Sequence, residues 1–250
     1  MDHLKELTVN NWSCEAQSYG DNVRKNDLPE EKQDIWKTVI NENIPQGRKL
    51  KVLDVGTGPG FFAILMAQMG HTVTAVDCSE DMLRQAKQNA ENTGISGIEF
   101  VCADCENLPF SRESFDVIMS RNVTWTLLHA RDTYSAWINM LRPGGRLLIF
   151  DANWNYRYHN PAYMEAYQKD CARFRELFKK EADTYSQAQE DYRRQVPMCK
   201  VKRPQWDLNT LADFSLTALM CDFNIGQRVW DEERKVKYRS TPMFLIVAEK

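Results

Sequence analysis

An apolar run that ends in an acid and is followed at once by three alternate glycines, Val52-Leu53-Asp54-Val55-Gly56-Thr57-Gly58-Pro59-Gly60, constrains this chain more than any other stretch. Apolar residues then continue at helical spacing from Phe61 to Met69. The pattern predicts a strand, a tight turn and a helix. Side chains in such a turn would force costly backbone angles or block the approach of a ligand, and glycine removes both obstacles. The helix start behind the turn leaves N–H groups unpaired beside a partial positive charge, which favours a carboxylate or phosphate.

The same alternation continues. Strands are predicted at 51–55, 72–77, 98–103, 115–120 and 146–151, separated by helices at 60–69, from the Ser79 N-cap to about Asn92, and through Leu141 up to Pro143-Gly144-Gly145. Five short, mostly apolar strands alternating with helices require a parallel sheet covered on both faces. A helix at 207–220 and strands at 222–231 and 242–248 complete it, the last two antiparallel to each other. The expected class is therefore α/β, a doubly wound, mostly parallel seven-stranded sheet with an antiparallel last strand and a helical insertion after strand 5. Residues 1–45 form an N-terminal lid segment, with an irregular aromatic stretch from Trp12 to Tyr19 and a helix over 27–43. Residues 46–151 form the ligand-binding core. Residues 152–205 form a cap in which Asn160-Pro161 starts a helix bearing Tyr163, Met164, Tyr167, Cys171, Phe174 and Phe178, with a second helix at 183–194. Residues 206–250 return to the sheet.

Composition excludes several classes of function. A net charge of −3 lacks the basic stripe that neutralises nucleic-acid phosphates. Lys200-Val201-Lys202-Arg203 is the one short basic run, read as a solvated loop. No apolar run approaches the roughly 20 residues that span a bilayer. Met1-Asp2-His3-Leu4-Lys5-Glu6 carries no signal-peptide pattern, so a cytoplasmic protein is expected, with neither nucleic acid nor membrane as partner. Seven scattered cysteines read as reduced thiols. Cys102 and Cys105 have the spacing of half a zinc site without a second half, so no metal is expected.

Two ligand classes compete for the glycine turn. A nicotinamide dinucleotide needs G-x-G-x-x-G/A; from Gly56 the third position is the bulky Phe61, while Gly58, Gly60 and Ala63 fit the pattern but begin three residues beyond the strand-end Val55. Asp77, about 20 residues beyond Gly56, suits the ribose hydroxyls of either ligand. Asp54, Asp77, Asp104 and Asp151 stand at the ends of strands 1, 2, 3 and 5. A row of acids repels pyrophosphate and suits a ligand carrying an ammonium or sulfonium.

Together with Ala75-Val76-Asp77-Cys78-Ser79-Glu80-Asp81-Met82-Leu83, Cys102-Ala103-Asp104-Cys105-Glu106-Asn107-Leu108-Pro109-Phe110, Phe115-Asp116-Val117-Ile118 and Leu141-Arg142-Pro143-Gly144-Gly145-Arg146-Leu147, the glycine turn resembles the class I S-adenosylmethionine-dependent methyltransferases that act on small molecules. The resemblance covers residues 50–151. It implies that Gly56, Gly58 and Gly60 pass the methionine part of the cofactor, with Asp54 near its ammonium. It places Asp77 on the ribose and packs Cys78 and Met82 on the adenine. Asp104 would accept from the adenine amino group, and the Cys105 N–H would meet a ring nitrogen. Arg121 would lie beside the sulfonium, and Tyr19 would close over the cofactor. S-adenosylhomocysteine would be the product.

Moving a methyl group to an O, N, S or C atom requires a nucleophile in line and, for most acceptors, a lost proton. His159, Arg121 and Tyr158 are the candidates for that work, with Trp125, Asp151, Trp154 and Tyr156 near them; His129 reads as structural. Ser120-Arg121-Asn122-Val123 lacks the Asn/Asp-Pro-Pro-aromatic signature of enzymes that methylate amide or exocyclic nitrogens. A small-molecule acceptor follows. The alternative is a regulatory protein that binds S-adenosylmethionine without turnover. Oligomeric state leaves no signature.

Overall fold

The computed structural model describes residues 3–250, so the first two residues of the N-terminal segment lie outside it. Its elements run α1 (His3–Asn26), α2 (Glu30–Asn43), β1 (Lys51–Val55), α3 (Phe61–Gln68), β2 (Thr72–Asp77), α4 (Glu80–Asn92), β3 (Glu99–Cys102), β4 (Phe115–Arg121), α5 (Ala130–Met140), β5 (Leu141–Asp151), α6 (Pro161–Phe178), α7 (Gln187–Gln195), α8 (Gln205–Ala212), β6 (Ala218–Asp222), α9 (Gly226–Val229), α10 (Glu232–Lys237) and β7 (Phe244–Glu249). The sheet order is β3-β2-β1-β4-β5-β7-β6, and β7 runs antiparallel to both neighbours. This is the doubly wound class expected from the sequence. Strand order reverses between β1 and β4, and ligands of such sheets bind in the crevice beyond the strand ends at that point.

Both sheet faces are buried, and successive strand residues serve opposite sides. Val52, Leu148, Phe150 and Val247 pack on one face with Trp36 of α2 and Phe61, Phe62 and Leu65 of α3. Leu53, Leu147, Ile149 and Ile246 pack on the other with Tyr134 and Trp137 of α5. The predicted caps operate. Ser79 Oγ accepts from Met82 N, and Asn160 Oδ1 accepts from Ala162 N ahead of Pro161. Ser186 and Gln189 form a reciprocal capping box on α7.

Several expectations change. The stretch from Trp12 to Tyr19 is not irregular but lies inside the 24-residue α1. That helix buries only Ala16, Gly20 and Val23, too thin an apolar stripe to announce itself, and it stays helical because it packs along α4. Strand 222–231 is replaced by β6 at Ala218–Asp222, and α8 ends at Ala212. The connection to β7 holds α9 and α10. β5 begins at Leu141, so Pro143-Gly144-Gly145 lies within the strand, where a register shift between Phe115 and Val117 accommodates it. No described helix is long and apolar enough to cross a membrane.

Candidate cofactor and substrate cavity

A cavity of about 630 Å³ opens beyond the carboxyl ends of β1, β2 and β4, within the size range of small-molecule sites. Asp54 stands on β1 and Asp77 ends β2; Asp104 follows β3, and all three line the cavity. Asp54 Oδ2 accepts from Thr57 Oγ1 at 2.6 Å and Ala63 N at 3.0 Å. Its Oδ1 takes no hydrogen bond among the described residues. Burial pushes the Asp54 carboxyl up to about 6, against the pull of those two donors. Asp77 is held by Gly58 N on Oδ2 and Ser79 N on Oδ1, each at 2.9 Å. Burial raises its pKa as well. Asp104 Oδ1 accepts from Glu106 N at 3.0 Å, while Oδ2 pairs with Lys5.

The three glycines answer three different demands. A Cβ on Gly56 would lie 2.3 Å from Val123 Cγ2, so β4's loop leaves it no room. A Cβ on Gly58 would meet only Tyr19 Cε1 at 3.7 Å, a cradle that side chains would fill. Gly60 does not line the cavity. Its Cβ would press on Ala86 of α4 at 3.0 Å, so glycine at this position serves helix packing. Cys78, Met82 and Cys105 line the end of the cavity near Asp104. Burial pushes the Cys78 thiol up to about 12, which makes it a packing group and not a nucleophile.

The roof comes from α1. Lys5, Thr8, Val9, Trp12 and Tyr19 fall on one helical stripe and all face the cavity. Trp12 meets Tyr19 and Trp125 edge-on at 5.9 and 6.0 Å. Of these residues, the sequence pattern pointed to Tyr19 alone as a cofactor contact. Their 3–4-residue spacing was the available signal. No residue of 152–205 lines the cavity; the insertion touches the roof from outside, through Thr8 and Tyr192 hydroxyls 2.9 Å apart.

The expected catalytic residues separate. Arg121 lines the cavity with its guanidinium 4.5 Å over the Phe61 ring and bonds Asp27 at 3.0 Å. Asp27 also takes Arg234 at 2.6 Å, and although burial alone would raise its pKa, the two guanidinium groups bring it down. His159 is exposed and away from the cavity, and Tyr158 lies between Arg157 and Arg194, so neither is brought to the site. Asp151 leaves the acid row too. It is fully buried on Arg203, Thr124, Trp154 Nε1 and two backbone N–H groups.

The sequence profile of a family described as a methyltransferase domain matches residues 46–203. A ubiquinone/menaquinone biosynthesis C-methyltransferase of Pseudomonas fluorescens is 35% identical over 47% of this chain and 47% of its own length. A ubiquinone biosynthesis O-methyltransferase of Parvibaculum lavamentivorans is 32% identical over 44% of this chain and 43% of its own length. The chain thus spans less than half the length of each of these two curated relatives. Among solved structures, an S-adenosylmethionine-dependent methyltransferase from Aquifex aeolicus is similar with a TM-score of 0.57 at 18% identity, covering 92% of this chain and 97% of that one. The geranyl diphosphate C-methyltransferase of Streptomyces coelicolor gives 0.59 at 15% identity, covering 87% and 79%. At those identities the likeness concerns the fold.

Proposed function

This chain belongs to the class I S-adenosylmethionine-dependent methyltransferases, and on that premise we propose that its cavity holds S-adenosylmethionine and that a methyl group passes to a small-molecule acceptor. The observation that carries the reading is the set of three carboxylates on one cavity wall, one of them buried with an oxygen left over. Asp54 Oδ1 is suited to the cofactor's ammonium. Asp77, oriented by Gly58 N and Ser79 N, retains lone pairs for the ribose hydroxyls. Asp104 and the Cys105 N–H suit the adenine edge, with Cys78 and Met82 against its faces. Gly58 leaves the methionine part room beneath Tyr19.

Bound S-adenosylmethionine supplies an electrophilic methyl group on a sulfonium. The chain's own work is to orient both reactants and keep water out. Trp12 and Tyr19 would close the roof, and Arg121, held by Asp27, would position the acceptor or the cofactor carboxylate. No histidine lines the cavity among the described residues. An acceptor that arrives as a free amine, a thiolate, a phenolate or a stabilised carbanion therefore suits this wall better than a neutral alcohol. The C- and O-methyltransferase relatives make quinone-biosynthesis intermediates the first acceptors to try.

Titration calorimetry with S-adenosylmethionine, S-adenosylhomocysteine and NAD tests the cofactor. Both adenosyl ligands should bind with a stoichiometry of one, and NAD should not. Transfer of labelled methyl to a metabolite panel separates an enzyme from a regulatory binder. Failure of the folded protein to bind either adenosyl ligand would sink the reading.

A further inference from the structure

The roof of the cavity is packed at one end and tethered at the other. The buried residues of α1, Ala16, Gly20 and Val23, all lie in its second half. No residue from His3 to Glu15 is buried. That first half is held by the half-buried Leu4, Leu7 and Trp12, which rest on Trp125, Tyr192, Val196 and Cys199, and by polar contacts. Ser13 Oγ and Ser79 Oγ are 3.0 Å apart, and Thr8 meets Tyr192. Near its tip, the Lys5 ammonium pairs with Asp104 Oδ2 and lies 3.7 Å from Glu106 Oε2. Glu106 is itself fixed, because its Oε1 accepts from Leu128 N and His129 N at 2.7 Å each. The lid's cation thus sits on the carboxylate that the proposed function gives to the adenine amino group.

We propose that Lys5 is a latch residue, holding the first half of α1 across the adenine end of the cavity and surrendering Asp104 to the arriving cofactor, so that lid closure and cofactor binding compete for one carboxylate. The proposal rests on S-adenosylmethionine being the ligand of this cavity. Lys5 and Asp104 are about one-third exposed, at 29% and 30% of their side-chain surface. A pair so placed biases an equilibrium by no more than about fivefold. That suits a latch, since segments that open in function are drawn from the weakly held parts of a fold.

Lys5→Met removes the charge and keeps the length; Lys5→Arg keeps the charge. In ligand-free protein, amide hydrogen exchange over residues 3–15 should quicken up to about fivefold in Lys5→Met and stay at the wild-type rate in Lys5→Arg. Lys5→Met should also bind S-adenosylmethionine about two- to fivefold more tightly at low ionic strength, an advantage that fades as salt screens the wild-type pair. Unchanged exchange in Lys5→Met overturns the latch. Weaker binding by Lys5→Met also overturns it, because Lys5 would then be a cofactor contact and not its competitor. If the wild type binds no adenosyl ligand, the cofactor assignment is what fails, and the exchange measurement still decides whether Lys5 holds the lid.

Discussion

Gly56 and Gly58 both have positive φ, at +66° and +52°, yet replacing them should have different consequences. Alanine at 56 adds a collision with Val123 to the backbone strain and should cost about 1–3 kcal/mol of stability. Shortening Val123 to alanine in the same chain should recover part of that loss, a coupling that a double-mutant cycle with urea unfolding measures. Alanine at 58 meets no such wall and should instead weaken the cofactor. Asp54 makes a second residue-scale prediction. Its folded pKa of about 6 lies above the ordinary 3.8, so its ionised form disfavours folding. The stability it allows is fully present below about pH 4 and lost as pH rises through 6. Asp54→Asn should therefore be more stable than wild type at pH 8, by up to about 3 kcal/mol, with no advantage at pH 4. A cationic ligand reverses the preference of that site. Wild-type affinity for S-adenosylmethionine should climb between pH 5 and 7 with release of a proton, while Asp54→Asn binds weakly and without that slope. Calorimetry in buffers of different ionisation enthalpy reads both.

At the scale of elements, α1 decides whether the cavity is a cleft or a covered site. It meets α4 through Gln17, Gly20 and Arg24, and a Cβ on Gly20 would already stand 3.1 Å from Gln85 Oε1. Gly20→Leu should push the helix outward without touching the sheet. The expected result is cofactor affinity reduced about three- to tenfold, with about 1–3 kcal/mol lost in unfolding because Gly20 lies in the packed half of the helix. Unchanged affinity would mean that α1 does not cover the cofactor. The insertion acts one step removed. Tyr192 of α7 supports α1 through Thr8, and Trp125 joins the same aromatic contact set at 6.3 Å from Tyr192. Its aromatic stripe is packing, as when Tyr156 and Tyr163 meet edge-on at 4.9 Å.

Across the whole molecule, one buried ion network joins the end of β5, the loop after β4 and α8. Arg203 reaches Asp151 at 3.0 Å and Asp207 at 2.8 Å, and Tyr134 of α5 donates to Asp207 at 2.6 Å. All three charged side chains are at most 1% exposed. Arg203→Met should strand two buried carboxylates and cost about 3–5 kcal/mol in urea unfolding. A loss under 1 kcal/mol would show that the network is not needed to hold the insertion's end on the sheet. The alternation of apolar strands with helices, the glycine turn and the acids at 54, 77 and 104 were legible from residue order alone. Local spacing suffices for them, because a strand, its turn and the following helix are contiguous in the chain. Three-dimensional packing decided the rest. Asp151 has the sequence position of a fourth ligand-facing acid, but Arg203, 52 positions away, neutralises it. His159 and Tyr158 follow the fifth strand as ligand-facing residues often do, yet the chain there turns away from the cavity. The roof of α1 was hidden because its contacts with Ser79, Asp104 and Tyr192 join residues far apart in the chain. Short-range pattern specifies which segments carry a fold; which side chains share a cavity depends on long-range contacts that no local pattern encodes.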